Sequence, residues 1–138
     1  MSKPLLIFLN EVAGGRQLIE VARAKAADAS YVVVVAPQNQ PSVGQLFDPE
    51  ERAEAARARV EVTLAVLEEF GIEAIGQVLD PEYDLALGDA IRAHRPGEVL
   101  LSCTYDFRFG LTRRDLLEWA HITFDDVTDI THIPVRIE

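Results

Sequence analysis

Two short apolar runs constrain this chain more than any other feature. Leu5, Leu6, Ile7, Phe8 and Leu9 follow one another without a polar break, and so do Val32, Val33, Val34 and Val35. A strand with one wet face alternates apolar and polar residues, because successive side chains point to opposite sides. A strand covered on both faces has no reason to alternate, and such strands belong to parallel sheets sandwiched between helices. Pro4 to Asn10 and Tyr31 to Ala36 are therefore expected as central parallel strands of an α/β protein.

The segments between and after them supply the cover. Gln17 to Ala29 is Ala-rich, with Leu18, Val21, Ala22, Lys25 and Ala26 near one face, and predicts a helix. Asp48-Pro49-Glu50-Glu51 is a strong helix start, with an acid at the N-cap and proline at the first helical position. That helix is expected to run to Phe70 and stop at Gly71. Ala53, Ala56, Val60, Thr63, Leu64, Leu67 and Phe70 would face the sheet, with Arg52, Glu54, Arg57, Arg59, Glu61 and Glu68 outward. Gln38 to Phe47, with Pro41 and Gly44, reads as a loop. Ile72 to Leu79 reads as a third strand, Asp80-Pro81-Glu82 starts a helix through His94, and Arg95-Pro96-Gly97 breaks it before Glu98. Ile130 to Ile137 supplies a last strand. Alternating strands and helices with crossovers of this length indicate a three-layer α/β/α sandwich around a mostly parallel five-stranded sheet, in one domain spanning 1–138.

Charge and cysteine usage remove several function classes. A net charge of −10 argues against nucleic acid or an anionic membrane as partner, since both need clustered Lys and Arg. No apolar stretch approaches the roughly 20 residues of a spanning helix, and no segment reads as an export signal. A single cysteine, Cys103, gives no internal disulfide, which points to a cytoplasmic home.

The stretch from Glu98 to Trp119 is where a small ligand is expected. Val99, Leu100 and Leu101 run into Ser102-Cys103-Thr104, a loop follows through Asp106, Phe107, Arg108, Phe109 and Gly110, and Thr112 reads as the N-cap of a helix with Asp115 three residues on. Ligands of open parallel sheets sit outside the carboxyl ends of the strands, where helix N-termini offer N–H groups to anions. Arg113 and Arg114 would put positive charge in the first turn, against the macrodipole, and so invite an anion; the plainer alternative is an Arg pair facing water or pairing with Asp106 or Asp115.

The order of elements and several motifs resemble the universal stress protein family over nearly the whole chain. The similarity rests on the short first strand, the valine-rich second strand, the long loop before a long helix, and above all Gly76-Gln77-Val78-Leu79-Asp80-Pro81 leading into Ala86-Leu87-Gly88-Asp89-Ala90-Ile91. Glu98-Val99-Leu100 and the closing Thr131-His132-Ile133-Pro134-Val135 are also similar to family strands. The resemblance implies a sheet ordered 3-2-1-4-5, cytoplasmic residence, homodimers through the C-terminal strand, and ATP or another adenine nucleotide at the ends of strands one and four.

Departures from the pattern bear on the ligand. Nucleotide-binding members carry G-x2-G-x9-G-[ST] after strand four; aligned on Gly110, this chain has Phe107 at the first glycine and Ala120-His121 at the final pair. The family's acidic residue at the end of strand one is Asn10 here, which donates and accepts hydrogen bonds without charge. These changes argue against ATP in the usual pose. The ligand-binding candidates are Asn10, Ser102, Thr104, Arg108, Gly110, Thr112, Arg113 and Arg114.

Elsewhere the chemistry is sparse. Gly14-Gly15 lies between a strand and a helix without the full dinucleotide fingerprint and reads as a plain turn. Cys103 reads as a small buried hydrophobe. His94, His121 and His132 fall in three elements without metal-ligand spacing, and Asp80 among Asp84 and Asp89 is better explained as an N-cap. Trp119 and Phe124 read as core. With no catalytic or metal set, a non-enzymatic, stress-protein-like sensor of a nucleotide or small metabolite is the first expectation. A ligand-free interaction dimer, with Phe107 and Phe109 filling the pocket, is the second. A metal-dependent phosphoanhydride hydrolase using Asp80 or Asp106 is a distant third.

Overall fold

Eleven elements follow one another among the described residues: β1 (Leu5–Leu9), α1 (Arg16–Ala26), β2 (Val32–Pro37), α2 (Pro49–Glu69), β3 (Ala74–Leu79), α3 (Tyr83–His94), β4 (Glu98–Cys103), β5 (Arg108–Phe109), β6 (Arg114–Asp115), α4 (Leu116–Phe124) and β7 (Asp129–Pro134). The structure, a computed structural model, describes residues 2–10, 15–38, 49–79, 83–103, 108–109 and 114–134. Five strands form one all-parallel sheet in the order β3-β2-β1-β4-β7, which is 3-2-1-4-5 when its strands alone are counted. β5 and β6 make a separate two-residue antiparallel pair.

The unalternated runs do what their composition requires. Every residue of β1 and β2 is buried, because each strand is covered on both faces. One face of the sheet, with Leu6, Phe8, Val33, Val35, Val99 and Leu101, packs on Ala86, Leu87, Ala90 and Ile91 of α3 and on Leu116, Ala120 and Phe124 of α4. The other, with Leu5, Ile7, Leu9, Val32, Val34 and Leu100, packs on Leu18, Ile19 and Ala22 of α1 and on Ala56, Val60 and Leu67 of α2. Two cores, one per face, make the three layers. Trp119 meets Phe124 edge-on, with ring centroids 5.4 Å apart, and packs against the α3/α4 core as expected of core aromatics.

Helix α2 ends as Gly71 dictates. Gly71 takes a φ of +79°, open to glycine at little cost, and the N–H groups of Gly71 and Ile72 donate to the carbonyls of Glu68 and Leu67 in a Schellman closure. Gly76 in β3 lets the same helix approach closely: a Cβ there would lie 2.4 Å from Val60 Cγ1 and 3.0 Å from Leu64 Cδ1.

Two assignments on α2 are corrected. Arg59 is buried, 8% exposed, rather than outward, and donates from Nη2 to the Pro37 carbonyl at 2.7 Å. Its position, three residues after Ala56 and four before Thr63, lies inside the buried stripe, so helical geometry outweighs charge once a carbonyl partner is in reach. Phe70 is 48% exposed rather than packed on the sheet, and the Arg23 guanidinium stacks on its ring 4.8 Å from the centroid.

A third correction concerns the fourth helix. It begins at Leu116, not after Thr112, and Asp115 is its N-cap, accepting from the Glu118 N–H at 3.1 Å with extended φ −72° and ψ 120°. Arg114 precedes the cap in β6, so the first turn holds the acid Glu118 rather than an arginine pair. The loop expected around Arg108 and Phe109 is instead one strand of the small pair: Arg108 is opposite Asp115 and Phe109 opposite Arg114.

Candidate functional site

The strand order reverses at β1: the chain steps outward to β2 and β3 on one side, then returns to place β4 and β7 on the other. In open parallel sheets the crossovers that leave the two strands at such a reversal diverge, and the general place for a ligand is the crevice outside their C-terminal ends. Register puts Leu9 opposite Ser102, and the Asn10 N–H donates to the Ser102 carbonyl at 3.0 Å, so the two residues sit side by side at that opening.

Both side chains there are buried and unpartnered. Asn10 is 0% and Ser102 1% exposed, and Asn10 Oδ1, Asn10 Nδ2 and Ser102 Oγ have no hydrogen-bond partner among the described residues. A buried polar group left without a partner costs about 1–3 kcal/mol. Three such atoms at the switch point are unfavourable for folding alone. The Thr128 hydroxyl is similarly buried, but it lies before β7, at the opposite end of the sheet.

Of the eight ligand-binding candidates, the structure brings Asn10 and Ser102 together. Arg108 and Arg114 are described through their backbones, in β5 and β6. Thr104, Gly110, Thr112 and Arg113 lie outside the described residues, as do Gly14, Asp80, Asp106 and Phe107.

The remaining polar side chains have structural work. Cys103 is buried and unbridged in the α3/α4 core, and its carbonyl accepts from His132 Nε2 at 2.8 Å. His94 Nε2 donates to the Gln77 amide oxygen at 2.9 Å, which leaves Nδ1 to accept the Tyr31 hydroxyl at 2.8 Å. His121 pairs with Asp125 at 2.9 Å. Glu98 receives Lys25 Nζ at 2.9 Å on one oxygen and the Thr131 hydroxyl at 2.6 Å on the other, tying the end of α1 to the starts of β4 and β7. Among the described residues, no three His, Cys, Asp or Glu side chains gather as metal ligands would.

An open hollow of about 1120 Å³ lies at the other end of the sheet, between Arg23, Tyr31, Leu64, Ile72 and Ile75. None of the unpartnered buried atoms lines it. The chemistry favours the β1/β4 crevice, where size alone would not.

Sequence reasoning located Asn10 and Ser102 and weighed Gly14-Gly15 as a phosphate loop before reading it as a plain turn, without placing Gly15 at a helix cap. It is the N-cap of α1, extended at φ −91° and ψ −162°, at the far end of the connection that starts at Asn10. An apolar-periodic helix preceded by glycine, with no acid in its first turn, was the available signal.

No protein-family model and no curated protein matches the sequence. Solved structures do resemble it. The structure of a universal stress protein from Archaeoglobus fulgidus superposes with a TM-score of 0.63 at 16% identity, covering 96% of this chain and 94% of that one. A protein from the universal stress protein family of Burkholderia pseudomallei superposes with a TM-score of 0.58 at 14% identity, covering 94% of this chain and 96% of that one. The shared sheet order and near-complete coverage establish a common fold.

Proposed function

We propose that this chain is a regulatory module of the universal stress protein type that holds a small metabolite outside the C-terminal ends of β1 and β4. The observation that carries the reading is the trio of unpartnered atoms on Asn10 and Ser102 at the point where the strand order reverses. A neutral amide offers a donor and an acceptor side by side, which suits a nucleobase edge, an amide or a pair of hydroxyls. Adenine nucleotides are the first ligands to test, because the fold is shared with universal stress proteins. The groups that the described residues supply at the crevice are hydrogen-bonding ones, which is the chemistry of binding.

Calorimetric titration with ATP, ADP, AMP and cyclic AMP, with and without magnesium, tests the reading. Saturable binding of at least one, lost in Asn10→Leu, supports it. Silence from all four overturns it in favour of a ligand-free interaction module.

We also propose that two copies pair through β7 in the cytoplasm. β7 is an edge of the sheet, and its outer N–H and C=O groups face no strand among the described residues. No helix among them is long and apolar enough to cross a membrane. Sedimentation is expected to give a dimer; monomer alone at high concentration removes the pairing.

A further inference from the structure

The two helices that follow the central strands, α1 after β1 and α4 after β4, treat their N-termini in opposite ways. At α4 the chain supplies its own anion: Asp115 caps the end, and Glu118 adds a second carboxylate in the first turn. At α1 it supplies none. The cap is Gly15, with no side chain to close the end, the first turn holds no acid, and Arg16 opens the helix with a positive charge. The first intrahelical bond described is Ile19 N–H to the Gly15 carbonyl, so the N–H groups of Arg16, Gln17 and Leu18 precede the α-helical ladder. Arg16 pairs with Glu20 one turn along, but that ion pair is 92% and 63% exposed and stands in solvent.

The second observation is independent of the helix. Ser102 follows Leu100 by two residues and so lies on the α1/α2 face of the sheet, and its Oγ is buried there without a partner. The start of α1 and the buried Ser102 hydroxyl lie on one face of the sheet, toward the C-terminal ends of β1 and β4.

We propose that the α1 N-terminus and Ser102 receive the anionic group, phosphate or carboxylate, of the molecule assigned above to the crevice, while Asn10 takes its neutral part. The inference rests on that reading and adds a polarity to it: the anion lies toward α1, away from the carboxylates of α4. Backbone N–H groups and the helix dipole supply the attraction, which is how an acidic chain holds an anion without a basic surface.

Gly15→Asp is the discriminating variant. Gly15 already has cap geometry, and a Cβ there meets nothing within 4 Å, so the aspartate fits and closes the end with the chain's own carboxylate. The probes are AMP, adenosine, inorganic phosphate and acetate, followed by amide resonances of labelled full-length protein. AMP and phosphate are expected to shift Arg16, Gln17 and Leu18, and adenosine to shift the Asn10 side chain alone. A stronger response to acetate than to phosphate assigns a carboxylate instead. Gly15→Asp is expected to raise the melting temperature and weaken AMP about tenfold. AMP that shifts Asn10 but not the α1 amides, or that binds Gly15→Asp as tightly as the parent, overturns this inference and leaves the ligand reading standing. Phosphate that shifts the α1 amides while no nucleotide reaches Asn10 keeps the anion site and overturns the reading. No response to any probe overturns both.

Discussion

The backbone N–H of Asn10 donates to the carbonyl of Ser102 at 3.0 Å, while the polar side-chain atoms of these same two residues are buried without a partner among the described residues. The main chain joins β1 to β4 at this point, and the proposed ligand would meet the side chains there. A chain selected for stability alone would place apolar residues at both positions, as it does at Leu9 and Leu101 beside them.

Asn10→Leu is therefore expected to stabilise the protein by about 1–3 kcal/mol, since it removes two unsatisfied atoms while keeping the branching and heavy-atom count of the side chain. Urea unfolding reads the gain, and the same variant loses ligand. A fall in stability would mean that the amide has a partner within the chain.

Asp115→Ala removes the cap of α4 and is expected to cost about 1 kcal/mol. Thermal unfolding beside Asp115→Asn, which keeps the accepting oxygen, separates the capping bond from the charge. Equal losses in the two variants would contradict the assignment.

Gly76→Ala drives a methyl into Val60, which is buried and stiff at χ1, and is expected to cost about 1–3 kcal/mol by forcing α2 off β3. Pairing it with Val60→Ala should recover part of the loss, and a double-mutant cycle measures the coupling.

Arg59→Met keeps the aliphatic stem and deletes the hydrogen bond to Pro37, with an expected loss of about 1.5–3 kcal/mol. A surface arginine would lose almost nothing.

What the sequence revealed follows from how local each signal is. The runs Leu5–Leu9 and Val32–Val35 have one reading, burial on both faces, and the central strands follow from them. Gly71 and Pro49 punctuate α2 without help from the rest of the chain. The start of α4 was ambiguous because Thr112-Arg113-Arg114-Asp115 and Asp115-Leu116-Leu117-Glu118 both have cap spacing. Pairing of Arg114 and Asp115 with Phe109 and Arg108 decides it, a short hairpin that cap spacing alone does not reveal. Arg59 was read outward because charge was weighed before position, and the carbonyl that satisfies it lies on another element. At the site, the resemblance pointed to Asn10 and Ser102 together; that their polar atoms are unpartnered is a property of packing on both sides, invisible in sequence.

A crystal structure of the protein grown with an adenine nucleotide tests the central claim most directly. The account predicts ligand atoms within about 3 Å of the Asn10 amide and the Ser102 hydroxyl. A nucleotide bound elsewhere, with both side chains closed by other groups of this chain, would contradict it.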